Sequence, residues 1–425
     1  MDCFEINLAI KRVIGIMPIL GALALLWTGD GYALDFSWTP QARTMMHLDD
    51  NVRGASREQE GAWGFDTGGS IDLKAASEEL SSTLTPRFNL RRFVVGDNLD
   101  ADEYSVASNS KWRRDKILTA MNLSYARDST LVSEATDAGR VDDVKDRDTV
   151  TIQPSIQYFI SDRLVYDASF FYSDVAYANA GSTGLIDYRY LQGASNITYS
   201  LRDDLEGFVS ISISDFDVPE ITSTTRSYSG KLGLTWHWDE SLQMSGALGW
   251  IQSNIDFIEA TCLVVTNNCP APFLIEDSAQ VSSGGPIASA GIEKKFDKLK
   301  VSFDYDREVS PSGRGSQSSS DRLALNIVRN VSAQLNLTVD GLYEIRTAQA
   351  QGLGSGFAAR DLNRDYYEGR AGFRYSLSQQ WVLGGTYRFG YRKSTNIGAS
   401  DSATTNSLYF TVEYVGVPNS FLDGF

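Results

Sequence analysis

Between Thr149 and Ile160 the chain alternates with a two-residue beat. One phase reads Val150, Ile152, Pro154, Ile156, Tyr158, Ile160; the other reads Thr149, Thr151, Gln153, Ser155, Gln157, with Phe159 its one apolar member. Successive side chains of a strand point to opposite faces, so this segment has one greasy face and one wet face. Many segments of this kind, joined by alternately short and long connections, specify a transmembrane antiparallel β-barrel. A soluble chain of 425 residues would normally divide into several domains. One closed sheet can instead use the whole length.

The pattern predicts 18 strands, with 16 as the alternative because strands 1, 2 and 12 are weakly patterned. Strands 11, 12 and 18, for example, are expected at 241–253, 282–296 and 406–415. Tight polar turns fall at Ser161-Asp162, Arg202-Asp203-Asp204, Asp239-Glu240, Asp297 and Ser378-Gln379, and long connections at 127–148, 174–187, 254–281, 347–365 and 393–405. Barrels of this class have short periplasmic turns and long outer loops. An even strand count therefore leaves both ends of the chain in the periplasm. Pro86, Pro154 and Pro286 lie inside predicted strands, where each removes a ladder donor, and they are read as bulge sites.

The greasy phase can be tested for charge. Strand 10 offers Tyr228, Gly230, Leu232, Leu234, Trp236 and Trp238; strand 17 offers Trp381, Leu383, Gly385, Tyr387, Phe389 and Tyr391. Nine stripes read in this way contain no Asp, Glu, Lys or Arg. A Lys or Arg facing the bilayer midplane costs about 2–4 kcal/mol. Charges in the same phase begin at Arg127, Asp148, Arg307 and Asp365, all toward the long loops. Aromatic residues form two sets. Trp112, Tyr158, Trp238, Trp381 and Tyr375 lie toward the short turns, and Tyr125, Tyr172, Tyr228, Trp250, Tyr305, Tyr367 and Tyr391 toward the long loops. Such belts suit the two headgroup levels.

At the N-terminus Lys11 and Arg12 precede a 15-residue apolar run, Val13–Trp27, and Gly31-Tyr32-Ala33 offers small residues for cleavage. Residues 1–33 are read as a secretory signal and 34–425 as the barrel. An uncleaved anchor is the other reading, although the run is short for a spanning helix. The net charge of −16 argues against nucleic-acid binding. Cys262 and Cys269 share a long loop with six residues between them. In an oxidising compartment they would form a disulfide; a two-thiol metal site is the alternative.

The chemistry-bearing residues point to a bore rather than to catalysis. His47 and His237 fall at opposite rims and cannot form one dyad. No triad spacing, phosphate loop, metal cluster or nucleotide motif is visible, so no cofactor is expected. On the wet phase, strands 16 and 17 carry Glu368, Arg370, Arg374, Arg388 and Arg392, while strands 13 and 15 carry Asp304, Asp306, Asp340 and Glu344. These residues are the candidate pore lining. Two arrangements follow: separate basic and acidic walls that select solutes by charge, or charges paired with one another across the hairpins. The expected function is a passive aqueous pore. The alternative is a surface-binding or structural barrel that uses the acidic loop 127–148 or the loop 254–281.

The stretches Trp38-Thr39-Pro40 and His47-Leu48-Asp49-Asp50-Asn51-Val52, followed by Tyr- and Arg-bearing hairpins, carry a resemblance. Over roughly residues 36–425 the chain resembles the outer-membrane β-barrel porins linked to exopolysaccharide gene clusters in Gram-negative bacteria. The resemblance implies an outer-membrane location and an export or diffusion role. The expected partners are outer-membrane lipid and lipopolysaccharide, the barrel-assembly machinery and exopolysaccharide export components.

Overall fold

The computed structural model describes residues 34–96, 98–131, 144–178, 185–219, 222–262, 274–311, 317–348, 363–396 and 399–420. The side chains of 257–279, 310–317, 348, 363, 396, 399 and 420 fall outside that description. Eighteen long strands follow one another: β1 (Asp35–Asp49), β2 (Ala62–Ala76), β3 (Leu80–Val95), β4 (Ala101–Arg114), β5 (Ile117–Ser129) and β6 (Asp146–Ser161). Next come β7 (Leu164–Tyr177), β8 (Tyr188–Arg202), β9 (Leu205–Val218), β10 (Ser223–Asp239), β11 (Leu242–Cys262) and β12 (Leu274–Lys295). The last six are β13 (Leu299–Pro311), β14 (Gln317–Asn330), β15 (Leu335–Ala348), β16 (Asn363–Ser376), β17 (Trp381–Asn396) and β18 (Ala399–Val415). Each pairs antiparallel with the next, and β18 returns to β1 in a register running from Gln41 opposite Val415 to Asp49 opposite Ser407. The sheet is thus a closed 18-stranded barrel. A two-residue strand β19 (Asn419–Ser420) completes the edge of β1 at Ser37 and Trp38. Closure leaves no sheet edge, which hydrocarbon would not tolerate.

The greasy phase faces outward. Leu248 is 73 % exposed and Leu232, its cross-strand partner, 64 %. Such exposure at large apolar residues is a lipid-facing surface rather than a defective core. Trp238, Trp381 and Tyr158 are exposed at the short-turn end, and Tyr228, Trp250 and Tyr367 at the other. Tyr343, Tyr367 and Tyr391 stand side by side on β15, β16 and β17, with ring centroids 4.5 and 6.0 Å apart. An even number of antiparallel strands, an apolar outer band and aromatic girdles are the architecture of outer-membrane barrels.

The strands outrun their predicted ends in one direction. Short-turn ends agree within two residues, whereas β11 runs to Cys262, β12 starts at Leu274 and β18 at Ala399. The connection expected over 393–405 is reduced to residues 397–398, because β17 and β18 continue on either side. Above the lipid both faces of a strand are wet, so hydrophobic alternation stops although hydrogen bonding does not. The three prolines are not bulges. Register shifts occur at Trp63/Gly64, Phe159/Ser161, Ser200/Arg202 and His237/Asp239, by the turns or the outer rim. At Pro154 pairing with β7 lapses between Ile152 and Ser155 and resumes in the same register. Pro86 produces the same lapse against β2. Past Pro286, β12 keeps β11 but its pairing with β13 begins only at Ala288. The predicted signal at 1–33 lies outside the described residues.

Candidate functional site

Residues of the wet phase face the bore, and they divide it into two unlike walls. From β6 to β11 the inward side chains are mostly hydroxyl, amide or small, with Asp167 and Lys231 among them. Cross-strand hydroxyl pairs join Ser212 to Ser229 at 2.7 Å and Ser227 to Ser253 at 2.8 Å. Gln157 donates to Asp167 at 2.8 Å.

The wall from β15 round to β4 is charged and internally paired. Glu344 accepts from Arg346 at 2.9 Å and from Arg364 at 3.1 Å. Glu368 accepts from Arg388 at 2.7 Å, from Arg370 at 2.5 Å and from the Tyr366 hydroxyl at 2.6 Å. Arg374 pairs with Glu413 at 3.0 Å, Arg392 with Asp401 at 3.3 Å, and Asp340 accepts from Asn326 at 2.5 Å. Acidic and basic groups therefore alternate along this wall instead of standing apart. Strand pairing sets this: register brings Glu344 and Glu368 within reach of arginines on the same or the neighbouring strand. Asp304 and Asp306 are different; both are exposed, and neither forms an ion pair among the described residues.

The paired wall continues onto β1–β4. Asp66 takes two hydrogen bonds from Arg91, at 3.0 and 3.2 Å, and lies 3.6 Å from His47 Nδ1. Arg91 also reaches Glu103 at 3.3 Å, and the Phe93 ring packs on His47 with centroids 4.7 Å apart. His47 is 3 % exposed, and a Cβ on Gly64 would stand 3.0 Å from its Nε2. Rim placement thus understates His47, which is a buried member of this network. Its imidazole is walled in by Phe93 and the β2 backbone, a poor position for an acid or base. Asp66, Arg91, Arg364 and Glu413 were absent from the predicted lining, although all lie on the inward phase that the alternation defines.

The connection 50–61 folds inward as a strap. Asn51, 0 % exposed, donates to the carbonyls of Ala55 at 2.7 Å and Thr404 at 2.9 Å. Asp50 accepts from the Asn406 backbone at 2.7 Å and side chain at 2.6 Å, and Arg392 donates to the Gly54 carbonyl at 3.1 Å. Ser394, Ala403 and Ser407 face the bore yet are 3, 4 and 1 % exposed. The strap reaches this stretch of wall through Gly54 and through the Asn51 carbonyl, which accepts from Thr405 at 3.4 Å. On its other side Val52 packs against the cluster of Ala62, Leu99 and Leu131.

At the short-turn mouth a cleft of about 580 Å³ is lined by His237, Asp203, Asp204, Asp239, Glu240 and Lys295, among others. The hydroxyl and amide of Ser241 hold the Asp239 carboxyl down at about 2. Among the described residues no cluster has the makings of a metal site. For the predicted disulfide, Cys262 ends β11 with its side chain undescribed, and Cys269 lies outside the described residues.

Comparison with protein-family models and with curated proteins gives no match. Among solved structures the chain is similar to Acinetobacter baumannii OccAB4, with 12 % identity over 93 % of this chain and 100 % of that one and a TM-score of 0.47. It is likewise similar to Pseudomonas aeruginosa OccK8 (OprE), at 10 % identity over 91 % and 98 % of the two chains and a TM-score of 0.47. The ferric-catecholate import receptor Fiu from E. coli K12, in its open form, matches at 10 % identity over 88 % and 81 %, with a TM-score of 0.47.

Proposed function

We propose that this chain is a passive aqueous pore of the outer membrane that admits small hydrophilic solutes. The observation that carries the reading is a closed 18-stranded wall whose inner face is hydroxyl-bearing on one side and ion-paired on the other. A barrel of 16–18 strands is wide enough to leave a water-filled channel. Beyond the paired wall, exposed inward charges of both signs remain, Asp304 and Asp306 against Arg43, Lys74, Arg87, Lys111 and Arg322, which favours weak selectivity over strong exclusion of either sign. Incorporation of the purified protein into planar bilayers tests this: discrete conductance steps are expected, and their complete absence overturns it. The resemblance to exopolysaccharide-linked porins extends the reading to outward passage of polysaccharide. That extension is tested by entry of graded oligosaccharides into proteoliposomes; exclusion of every oligomer rejects it.

A further inference from the structure

Just beyond the outer tyrosines, five Arg–Asp pairs stand on the outward face, one on each of five hairpins. They are Arg92–Asp102 at 2.5 Å, Arg127–Asp148 at 2.6 Å, Arg189–Asp174 at 3.2 Å, Arg226–Asp215 at 3.1 Å and Arg307–Asp321 at 3.4 Å. In every pair one member lies two residues from a tyrosine of the same phase: Asp102 from Tyr104, Arg127 from Tyr125, Asp174 from Tyr172, Arg226 from Tyr228 and Arg307 from Tyr305. Three of these tyrosines also donate to an aspartate of the collar, Tyr125 to Asp148 at 2.8 Å, Tyr172 to Asp174 at 3.1 Å and Tyr305 to Asp321 at 2.8 Å. The repeated unit is a ring in the headgroup layer with an ion pair directly above it.

Stability does not account for the pairs of Arg92, Arg189 and Arg226, because exposed ion pairs contribute only about 0–1 kcal/mol each. Their chemistry does suit one partner. Arg92, Arg189 and Arg226 have half or more of their side chains exposed. A guanidinium presents five donors; Arg189 and Arg226 direct theirs to one carboxylate each, and Arg92, which also donates through Nη1 to the Arg91 and Ala101 carbonyls, keeps Nε and one Nη2 hydrogen for a phosphate. The aspartates beside them offer hard oxygen ligands to a divalent cation. An arc of paired charge over these five hairpins thus matches a headgroup layer in which phosphates are bridged by divalent cations. A phospholipid headgroup provides one phosphate without such a lattice.

We propose that this collar docks the phosphorylated headgroup of an outer-leaflet glycolipid of the lipid A type, with arginine donors on its phosphates and aspartates on the bridging cations. The proposal rests on the outer-membrane placement in the preceding reading and is independent of conduction. The test uses the purified full-length barrel in a neutral detergent. Retention of lipopolysaccharide through size exclusion is measured with magnesium and with a chelator, against phosphatidylglycerol as the phospholipid control. The variant Arg92→Gln/Arg189→Gln/Arg226→Gln removes three exposed guanidiniums, and heat-modifiable electrophoretic mobility reports its folding. Expected are retention of lipopolysaccharide but not of phosphatidylglycerol, its loss on chelation, and an affinity on the order of tenfold lower in the variant. Equal retention of the two lipids, or a folded variant that binds as wild type does, overturns the proposal. Should the variant not fold, lipopolysaccharide retained undiminished in chelator overturns it on the wild-type protein alone.

Discussion

Arg388 donates through Nε to Glu368 at 2.7 Å and through Nη2 to the Tyr366 hydroxyl at 2.9 Å, tying β17 to β16 on the inner face of the barrel. Tyr366 in turn donates to the same carboxylate at 2.6 Å. The three groups close a ring of hydrogen bonds, and the Glu368 side chain is only 6 % exposed. Charge on this wall therefore braces hairpins before it meets any solute.

Removing one member leaves the others uncompensated. Glu368→Gln strands the Arg388 guanidinium, 22 % exposed, and should lower stability by about 3 kcal/mol, the scale for breaking a buried pair. Arg374→Gln is the control: that side chain is 54 % exposed against Glu413, and its loss should cost less than about 1 kcal/mol. Urea unfolding of the barrel from lipid vesicles separates the two; equal midpoints would contradict the bracing role.

Neighbouring residues on β10 test the sidedness of the wall. Leu232 lies close to midway between the outer Tyr228 and the inner Trp238 and faces lipid, whereas Lys231 faces the bore. Leu232→Arg should cost about 2–4 kcal/mol of stability in vesicles, while Lys231→Arg should change little. A reversal of that order would mean that the two faces have been exchanged.

The barrel was legible in the sequence wherever two solvents met across a strand. All 18 strands could be placed, and their short-turn ends agree closely, because the apolar stripe there begins at a turn. The outer ends of β11, β12 and β18 were not legible, since a strand wet on both faces carries no alternation. The inward phase was readable, but which charges meet was not. Glu344 reaches Arg364 and Asp66 reaches Arg91 through register, and register follows from closure and turn geometry rather than from the pattern of one strand. The strap was missed for a similar reason. Asp50 and Asn51 look like ordinary loop residues until chain closure brings Thr404 and Asn406 beside them.

A close backbone approach lies on β11. A Cβ on Gly249 would stand 2.1 Å from the Gly230 carbonyl and 2.9 Å from Lys231 Cα, both backbone atoms of the paired strand. Backbone cannot swing aside as a side chain can. Gly249→Ala should therefore force β10 and β11 apart locally and cost about 1–3 kcal/mol. Gly285→Ala, where a Cβ meets nothing within 4 Å, is the matched control. Similar thermal loss of heat-modifiable mobility in the two variants would rule out steric approach as the reason for Gly249.

The turn after β10 gives a pH expectation. Asp239 is held at about 2, chiefly by the Ser241 hydroxyl and amide, below an ordinary value of 3.8. A depressed carboxyl helps the folded turn at pH above its unfolded value, and that help fades as pH falls through about 2. Amide exchange at Ser241 and Leu242 should therefore stay protected at pH 4. Asp239→Asn should weaken that protection and remove its acid dependence. Protection unchanged in Asp239→Asn would show that the carboxylate does not hold the turn.

The strap makes the strongest claim on conduction. Asn51 fixes it to β18 through the Thr404 carbonyl, Arg392 fixes Gly54 to β17, and Asp50 holds Asn406. The inward Arg392 and Thr405 side chains reach the backbone of Gly54 and Asn51, which places strap backbone at the outer mouth, where it narrows the channel. Replacing residues 53–59 with two glycines keeps Asp50 and Asn51 but removes the strap's span, and should raise unitary conductance on the order of twofold. Asn51→Ala should instead leave mean conductance near wild type and add flicker, because a loosened strap samples positions off the wall. A cysteine in place of Thr386, on the inward phase of β17 below Arg388, gives a readout that does not depend on ion flow. With Cys262 and Cys269 replaced by serine, a bulky maleimide added from the outer side should label it faster once the strap is shortened. Equal conductance and equal labelling with and without residues 53–59 would place the narrowest point elsewhere in the bore.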